Sequence, residues 1–323
     1  MNQANIPPVR TISIADVEAA RKRVAGTVLR TPLVKLQLGA GYPDIRLKLE
    51  NLQPINAYKL RGAVNAVAML SDDERRRGVW TISAGNAGQG VAFAARQSGV
   101  RCTVVAIETA PQAKLDRMHA LGARLVLVPY EEAWEAIETH RFDGVEGTLV
   151  HPFDDHNFIA GHGTMALEIL EDEPDTQAVI ASIGGGGLVV AIGSVLRALK
   201  PAAKVFGVEP ETAAPFAYSL RAGTPLTFPA WQTSFVDGAG GRSVVPRMWE
   251  RMKPVVDDGF VVTLEETRLA MRMMAEKSRV ISEGAGAMPL AAALSGKAGE
   301  GPVVCVVSGG NLDISKFVEL MAK

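Results

Sequence analysis

The stretch Ala178-Val-Ile-Ala-Ser-Ile-Gly-Gly-Gly-Gly-Leu188 joins a short apolar run to four consecutive glycines and then to a helix-like segment. A run that is apolar throughout, without alternation, is typical of a parallel strand buried on both faces. Four adjacent glycines let several backbone N–H groups point at one spot, with the start of the next helix directly behind them. Because a tight turn needs only one or two glycines, the stretch predicts a phosphate-binding loop between a buried strand and a helix.

The same alternation of strand and helix runs along the whole chain. Strands are predicted at Arg46–Leu49, Val79–Ile82, Cys102–Ile107, Arg124–Val128, Ala178–Ile183, Lys204–Val208 and Val303–Val307. Helices are predicted at Ala87–Ser98, Gln112–Leu121, Glu131–Thr139, Gly163–Leu170, Leu188–Leu199 and Leu264–Arg279. This order predicts an α/β protein with open, doubly wound parallel sheets. Arg221–Arg242, rich in Gly, Pro and Thr, is predicted as a long surface excursion, and Glu146–Ala160 as a crossing between domains.

Length and composition narrow the class of protein. The chain has 323 residues, of which 47% are hydrophobic and 21% charged, and its formal net charge is −1. This length favours two domains, and the near-zero charge excludes a strong electrostatic attraction to nucleic acid or to an anionic membrane. No signal peptide and no apolar run long enough for a membrane-spanning helix is visible. Cys102 and Cys305 lie in apolar runs and are predicted to be buried free thiols, which favours a cytoplasmic protein.

Four glycine-bearing stretches follow a predicted strand and precede a helix: Ser83–Gly90, Gly184–Leu188, Glu283–Ala287 and Ser308–Asn311. In open parallel sheets, ligands bind beyond the carboxyl ends of the strands, where such loops lie. A nucleotide-binding module is one interpretation, because Glu209 closes the next strand at roughly the distance of a ribose-binding acid. The glycine spacing of that fingerprint is imperfect, and no Walker A lysine follows any of the loops.

A second stretch makes the chemistry more specific. Lys48-Leu-Glu-Asn-Leu-Gln-Pro54, followed by Ala57-Tyr-Lys-Leu-Arg-Gly-Ala63, resembles the cofactor-lysine segment of the serine/threonine dehydratase and serine racemase family. That family usually shows K-x-E-x-x-Q-P and then S-F-K-x-R-G-A. The loops at Ser83, Gly184 and Ser308 follow in the family's order, and His151–Thr164 is similar to a further family stretch.

The resemblance extends from about Thr31 to Asn311, nearly the whole chain. It implies a pyridoxal-phosphate enzyme of fold type II, with two open doubly wound parallel-sheet domains and the cofactor in the cleft between them. We therefore expect a large cofactor-binding domain over residues 1–70 and 151–323, and a small domain over residues 71–150.

The resemblance also implies the site residues. Lys59 matches the lysine that binds the cofactor covalently, and its neighbours Tyr58 and Leu60 favour a neutral, nucleophilic amine. The cofactor-binding residues implied are Tyr58, Lys59, Asn86, Gly184, Gly185, Gly186, Gly187, Leu188 and Ser308. The substrate-binding residues implied are Ser83, Ala84, Gly85, Asn86, Ala87 and Gln89.

Two of these positions bear on the chemistry directly. Asn86 would bond the ring hydroxyl of the cofactor, and Ser308 would face its pyridine nitrogen. A hydroxyl there leaves that nitrogen unprotonated and makes the ring a weaker electron sink, which favours loss of a β-substituent. Glu283 is either a residue facing the cofactor or an ordinary acid at a helix start, and the sequence leaves both open.

The implied reaction is a dehydration of a 3-hydroxy amino acid such as serine, threonine or a bulkier analogue, giving a 2-oxo acid and ammonia. Lys59 would remove the α-proton as general base. The racemase branch has a second serine at position 84, and Ala84 cannot carry a proton. A racemase or a β-replacement enzyme of the same fold is the first alternative, and the nucleotide-binding module is the second.

The resemblance also leads to expectations about a metal ion and about binding partners. The family's divalent-cation site starts at Glu209 and needs an aspartate six residues later, where this chain has Pro215. A divalent cation is therefore not expected, because hard cations require several carboxylate oxygens. The expected partners are a small amino-acid substrate and further copies of this chain in a homodimer or higher homo-oligomer, with neither nucleic acid nor membrane.

Overall fold

Strands and helices alternate along residues 6–322, which are the residues described by the computed structural model. Residues 1–5 and 323, which the predicted large domain includes, lie outside the described residues. The strands are β1 (Leu33–Lys35), β2 (Ile45–Lys48), β3 (Val79–Ile82), β4 (Cys102–Ile107), β5 (Arg124–Val128), β6 (Thr148–Leu149), β7 (Ala178–Ser182), β8 (Lys204–Pro210), β9 (Asp258–Val262) and β10 (Val303–Val306). The helices are α1 (Ile14–Val24), α2 (Lys59–Ala68), α3 (Asp72–Arg77), α4 (Asn86–Gln97), α5 (Gln112–Ala120), α6 (Tyr130–Thr139), α7 (His156–Asp172), α8 (Gly187–Leu199), α9 (Pro215–Ala222), α10 (Pro246–Met252), α11 (Leu264–Ser278), α12 (Gly284–Leu294) and α13 (Ile314–Ala322).

All seven predicted strands are present, and each end lies within two residues of its predicted position. The prediction missed β1 and β6, which are three and two residues long, and β9, which begins with Asp258 and Gly259. Such short or polar segments carry too little of the apolar run that identifies a buried strand. The predicted start of α7 at Gly163 was wrong. The helix begins at His156, because the Asp155 carboxylate accepts the Phe158 N–H at 2.8 Å and caps its first turn.

The residues divide into two compact units. The lysine unit comprises Met1–Val28 and Lys59–His162, and the glycine-loop unit comprises Leu29–Tyr58 and Gly163–Lys323. The predicted small domain, residues 71–150, lies wholly within the lysine unit. That unit also includes residues 6–28, 59–70 and 151–162, which the prediction assigned to the large domain.

The lysine unit contains a parallel four-stranded sheet in the order β5-β4-β3-β6. Its core includes Trp80 and Ile82 of β3, packed with Val105 of β4 and with the buried alanines of α6. All four residues of β3 are buried, as expected for an interior parallel strand. The carboxyl end of β3 leads directly into the loop that begins at Ser83, and α4 starts three residues later.

The glycine-loop unit contains a six-stranded sheet in the order β1-β2-β10-β7-β8-β9. The pairing of β1 with β2 is antiparallel, and the other four pairings are parallel. Strands β7 and β10 are neighbours in the interior of this sheet, and both are fully buried. Because the carboxyl ends of adjacent parallel strands meet at one edge, the loops at Gly184 and Ser308 lie at the same edge of the sheet.

The stretch Lys48–Pro54, which precedes Lys59 in the family-like segment, has a structural role in this unit. The side chain of Lys48, at the end of β2, is completely buried, and its Nζ lies 2.7 Å from Glu168 Oε2 and 2.7 Å from the carbonyl oxygen of Thr31. Glu50 accepts a hydrogen bond of 2.6 Å from the Thr31 hydroxyl and one of 3.2 Å from the amide of Gln53. The K-x-E-x-x-Q pattern therefore supplies partners for buried polar groups, which would otherwise be costly to bury.

Two further expectations concern the chain as a whole. Cys102 and Cys305 are both buried and free, which confirms the prediction for the thiols. Within residues 6–322, none of the helices has the length and apolar character required to cross a membrane.

Candidate active site

Lys59 is the first residue of α2, and its amine lies against apolar groups of the lysine unit. Its Nζ donates a hydrogen bond of 2.6 Å to the carbonyl oxygen of Pro152 and lies 5.3 Å from the centre of the Phe158 ring. Burial of the amine lowers the pKa of Lys59 to about 7. The neutral form is therefore well populated at neutral pH, as the flanking residues predict. A neutral lysine amine can act as a nucleophile or as a base.

The loop Ser83–Gly85 connects β3 to α4, and this loop and the first turn of α4, which includes Gln89, present hydrogen-bond donors. Gly85 precedes the first residue of α4, Asn86, and its N–H donates to the Ser83 hydroxyl at 3.1 Å. The N–H groups in the first turn of a helix have no acceptor within the helix and attract anions. The Gln89 side chain is 3% exposed, and its Nε2 has no hydrogen-bond partner among the described residues. The loop is therefore suited to receive a carboxylate.

The structure brings Lys59 close to this loop. A Cβ atom built at Gly90, in the first part of α4, would lie 3.3 Å from the carbonyl oxygen of Lys59. The lack of a side chain at Gly90 allows the starts of α2 and α4 to pack closely. Pro152 and Phe158, which contact the Lys59 side chain, were not predicted as site residues. Both belong to the family-like stretch His151–Thr164, which is the signal in the sequence that could have identified them.

The four glycines form the connection between β7 and α8 of the glycine-loop unit. Gly186 has φ +89°, a backbone conformation that favours glycine, and a Cβ atom there would lie 2.5 Å from Met252 Sδ, so the methionine side chain would have to shift. The helix begins at Gly187, which places the N–H groups of Gly187 and Leu188 in its first turn. These N–H groups and the positive end of the helix dipole form a site suited to a phosphate group.

A segment that the sequence did not predict packs on this loop. The Gly240 N–H donates to the carbonyl oxygen of Ile183 at 3.0 Å, and the Gly238 carbonyl oxygen lies 3.4 Å from a Cβ atom built at Gly184. Val236 and Ala239 are buried. The prediction that Arg221–Arg242 is entirely a surface excursion was therefore wrong for its last part. Small residues, rather than an apolar run, allow this segment to pack in the interior, so hydrophobic periodicity gives no signal.

Three predicted residues of the glycine-loop unit come together although they lie far apart in the sequence. The Tyr58 N–H donates to the Ser308 carbonyl oxygen at 3.0 Å, and the Glu283 N–H donates to the Gly309 carbonyl oxygen at 3.1 Å. Burial and the nearby charge of Glu283 raise the pKa of the Tyr58 hydroxyl. Glu283 directly precedes α12, and its side chain is buried. This side chain does not cap α12, and its position facing the cofactor stays a prediction.

Glu209 lies near the carboxyl end of β8 and is 1% exposed. Its Oε1 accepts the Phe216 N–H at 2.9 Å and its Oε2 accepts the Ala217 N–H at 2.8 Å, so the carboxylate caps α9. Burial raises the pKa of Glu209 to about 8. In residues 6–322, no group of three or more His, Cys, Asp or Glu side chains is arranged to hold a metal ion. Because both oxygens of Glu209 bond the helix, the residues here fit neither a divalent cation nor the ribose of a nucleotide.

The buried Glu209 carboxyl should make the stability of the folded chain depend on pH. Because the pKa of Glu209 is higher in the folded chain than in the unfolded chain, its contribution to stability decreases as the pH rises through about 8. The Glu209→Gln variant lacks this titration. Between pH 5 and pH 8.5, its free energy of unfolding relative to the wild type should therefore rise by about 3–4 kcal/mol.

Denaturant unfolding at several pH values measures this difference. The matched control is Glu211→Gln, because Glu211 also accepts a backbone N–H at a helix start, from Leu264 at 2.8 Å, but is exposed. A difference between Glu209→Gln and the wild type that stays constant with pH would contradict the buried, titrating carboxylate.

Comparison with known proteins agrees with this arrangement of residues. The family described as "Pyridoxal-phosphate dependent enzyme" matches residues 24–309 of this chain. The chain belongs to this family. The match confirms the predicted family and the fold-type II α/β class, and it leaves the nucleotide-binding alternative without support.

Relatives of this pyridoxal-phosphate dependent enzyme cover nearly all of its length. The chain is 35% identical to "L-threonine dehydratase catabolic TdcB" of Staphylococcus aureus (strain USA300), over 98% of this chain and 93% of that protein. It is 37% identical to "L-threonine ammonia-lyase" of Thermotoga maritima, over 97% of this chain and 79% of that protein. Among solved structures, maize serine racemase matches with a TM-score of 0.86 and 30% identity, covering 97% of this chain and 98% of that one.

The residues of this family member fit pyridoxal phosphate. A lysine amine with a pKa of about 7 suits reaction with the cofactor's aldehyde. The start of α8, with its glycine at φ +89° and first-turn N–H groups, suits the phosphate. Ser308 is buried, and its side chain is a neutral hydroxyl rather than a carboxylate.

Proposed function

We propose that this enzyme is a pyridoxal-phosphate-dependent dehydratase that converts a 3-hydroxy amino acid to a 2-oxo acid and ammonia by β-elimination. The observation that carries the proposal is the buried amine of Lys59, with its pKa of about 7 and its hydrogen bond to the Pro152 carbonyl oxygen. An amine that is neutral near physiological pH can both bind the cofactor and accept the α-proton of the substrate. The names of the Staphylococcus and Thermotoga relatives support the same reaction class.

We propose binding residues in each of the two units. For the cofactor, Gly184–Gly187 and Leu188 would hold the phosphate, Ser308 would bond the ring nitrogen, and Asn86 would bond the ring hydroxyl, with Tyr58 adjacent. For the substrate carboxylate, Ser83–Ala87 would offer backbone N–H groups, and the unpartnered Nε2 of Gln89 would add one side-chain donor. Glu283 is proposed as an acidic neighbour of this site.

Bound pyridoxal phosphate supplies an electron sink that acidifies the α-C–H bond of the substrate. Lys59, at the start of α2, accepts the α-proton of the substrate as general base. The α4 N-terminus orients the substrate by its carboxylate, which fixes the face that Lys59 reaches. Departure of the β-hydroxyl and hydrolysis of the released product then give the 2-oxo acid and ammonia.

A racemase is the second candidate, supported by the similarity to maize serine racemase. Racemisation needs a second proton carrier on the opposite face of the α-carbon, and the methyl group of Ala84 cannot serve. The small side chains of Ala57, Ala84 and Ala87 instead favour a bulkier 3-hydroxy amino acid than serine. We further propose a cytoplasmic location, consistent with two buried free thiols, and a homodimer or higher homo-oligomer.

The proposal is tested with a panel of L- and D-3-hydroxy amino acids, which includes serine, threonine and 3-phenylserine, assayed for 2-oxo acid, ammonia and the opposite enantiomer. We expect 2-oxo acid and ammonia in equal amounts from at least one substrate, with little enantiomer. In the Ala84→Ser variant, some racemisation of serine should appear while elimination continues. Enantiomer without 2-oxo acid in the wild type would favour the racemase, and no turnover of any substrate would refute both.

A further inference from the structure

His151 lies in the lysine unit between β6 and α7 and is almost completely buried. Its Nδ1 accepts the N–H groups of Asp154 at 2.9 Å and Phe153 at 3.3 Å. Its Nε2 lies 3.1 Å from the carbonyl oxygen of Ile137. Because a carbonyl oxygen can only accept, Nε2 carries the proton and Nδ1 is the acceptor. The surroundings thus fix one neutral tautomer of His151.

A single peptide group, between Pro152 and Phe153, links His151 to Lys59 by hydrogen bonds. The N–H of Phe153 and the carbonyl of Pro152 belong to the same planar peptide, so holding one end orients the other. That carbonyl oxygen accepts the hydrogen bond of 2.6 Å from Lys59 Nζ. Hydrogen bonds in series polarise one another, so the bond to His151 also strengthens Pro152 as an acceptor.

We propose that His151 is a positioning residue for Lys59. It fixes the Pro152–Phe153 peptide so that the carbonyl faces the lysine amine whenever that amine is not bonded to the cofactor. The inference rests on the proposed function in one respect, namely that Lys59 is the reactive amine. It assigns His151 no contact with the substrate.

The charged and titratable groups around the two residues are consistent with this role. Burial and the neighbouring His140, whose ring centre is 4.4 Å away, lower the pKa of His151 to about 3, so it remains neutral over the working pH range. His162 of α7 interacts electrostatically with both Lys59 and Arg61, which lie together on α2, and burial lowers the pKa of His162 far below its usual value. Asp154, 3.6 Å from His140, is the acid of this cluster.

The bond to Pro152 also affects the protonation of Lys59. A carbonyl oxygen bonds an ammonium group more strongly than a neutral amine. The Pro152 carbonyl therefore opposes the effect of burial on the pKa of Lys59. Weakening this acceptor should lower that pKa further and leave the amine less well placed.

Two variants of His151 test the roles of its two ring nitrogens separately. In His151→Asn, the side-chain oxygen can occupy the place of Nδ1 and accept the two N–H groups. In His151→Gln, the longer side chain can still donate to Ile137 but lacks an acceptor at that place. The measurement is the rate at which the full chain, freed of cofactor, captures added pyridoxal phosphate between about pH 4.5 and pH 9.5, since only the neutral amine reacts.

For the wild type we expect a rate profile with its midpoint near pH 7. In His151→Gln the midpoint should fall by about one pH unit, and the high-pH rate should fall about 10-fold. His151→Asn should retain the wild-type midpoint and most of the rate. A His151→Gln variant with the wild-type profile would overturn the proposal, and so would a His151→Asn variant impaired as strongly as His151→Gln.

A second measurement uses the wild-type protein, so it does not depend on whether a variant folds. The chain has five histidines, so the side-chain nitrogen resonances of ¹⁵N-histidine-labelled protein can be resolved. Between pH 5.5 and 8.5 the His151 ring should keep its proton on Nε2, and a proton on Nδ1 would overturn the proposal. Neither test measures turnover. Failure of the proposed dehydratase reaction would therefore leave both readouts in place, whereas failure of these tests would leave the reaction standing.

Discussion

The Lys59→Ala variant should lose turnover of its 3-hydroxy substrate by about 10³-fold or more, because it removes both the covalent attachment of the cofactor and the base at the α-carbon. The absorption band of lysine-bound pyridoxal phosphate should be absent, and borohydride should fix no cofactor to the chain. Exchange of the substrate α-proton with solvent should stop as well. Steady-state assays, absorption spectra and proton exchange followed by NMR measure the three effects.

Two controls isolate the amine of Lys59. In Lys59→Arg, a donor to the Pro152 carbonyl oxygen is retained, but a guanidinium stays protonated and cannot act as a nucleophile or base. This variant should be as inactive as Lys59→Ala. Lys316→Ala, at an exposed lysine paired with Glu319, should leave turnover unchanged. Wild-type turnover in either Lys59 variant would refute the assignment.

The Gly186→Ala variant should bind pyridoxal phosphate about 10- to 100-fold more weakly than the wild type. The new methyl group would lie 2.5 Å from Met252 Sδ, on a residue whose φ of +89° already disfavours a side chain. The Met252 side chain or the loop must shift to relieve the contact, and the strain at φ +89° remains in either case. Strain in the loop disturbs N–H groups whose charge-assisted bonds to a phosphate contribute about 1.5–3 kcal/mol each. Titration of the cofactor-free protein with pyridoxal phosphate measures the affinity.

Gly223→Ala provides the matched control for backbone strain. Gly223 follows the end of α9 with φ +74°, and a Cβ atom there meets no atom within 4 Å. This variant should lose about 1 kcal/mol of stability and keep its affinity for the cofactor. If the two variants weakened cofactor binding equally, general destabilisation rather than the loop at Gly186 would account for the effect.

Much of the fold could be predicted from the sequence because its signals are local. Apolar runs such as Ala178–Ile183, each followed by glycines and a helical segment, identify buried parallel strands with ligand loops at their carboxyl ends. The low pKa of Lys59 was likewise foreseeable, since the apolar neighbours Tyr58 and Leu60 accompany the lysine in sequence. The expectation of no divalent cation at Glu209 rested on one residue, Pro215, and stays a prediction.

Other features were decided only by the tertiary structure. The hydrogen bond between Tyr58 and Ser308, the packing of Gly240 on Ile183 and the capping of α9 by Glu209 join residues from separate elements. Irregular segments have no periodicity that would indicate what they pack against.

The immediate partners of Lys59 illustrate the same limit. The sequence by itself predicted a reactive lysine at position 59 and glycine loops that follow the strands of parallel sheets. The carbonyl that receives its amine belongs to Pro152, in a segment whose orientation depends on the buried ring of His151. A backbone carbonyl is present at every residue, so no residue type marks the one that faces the lysine. Only the packing of α2 and α7 and the loop before α7 selects it.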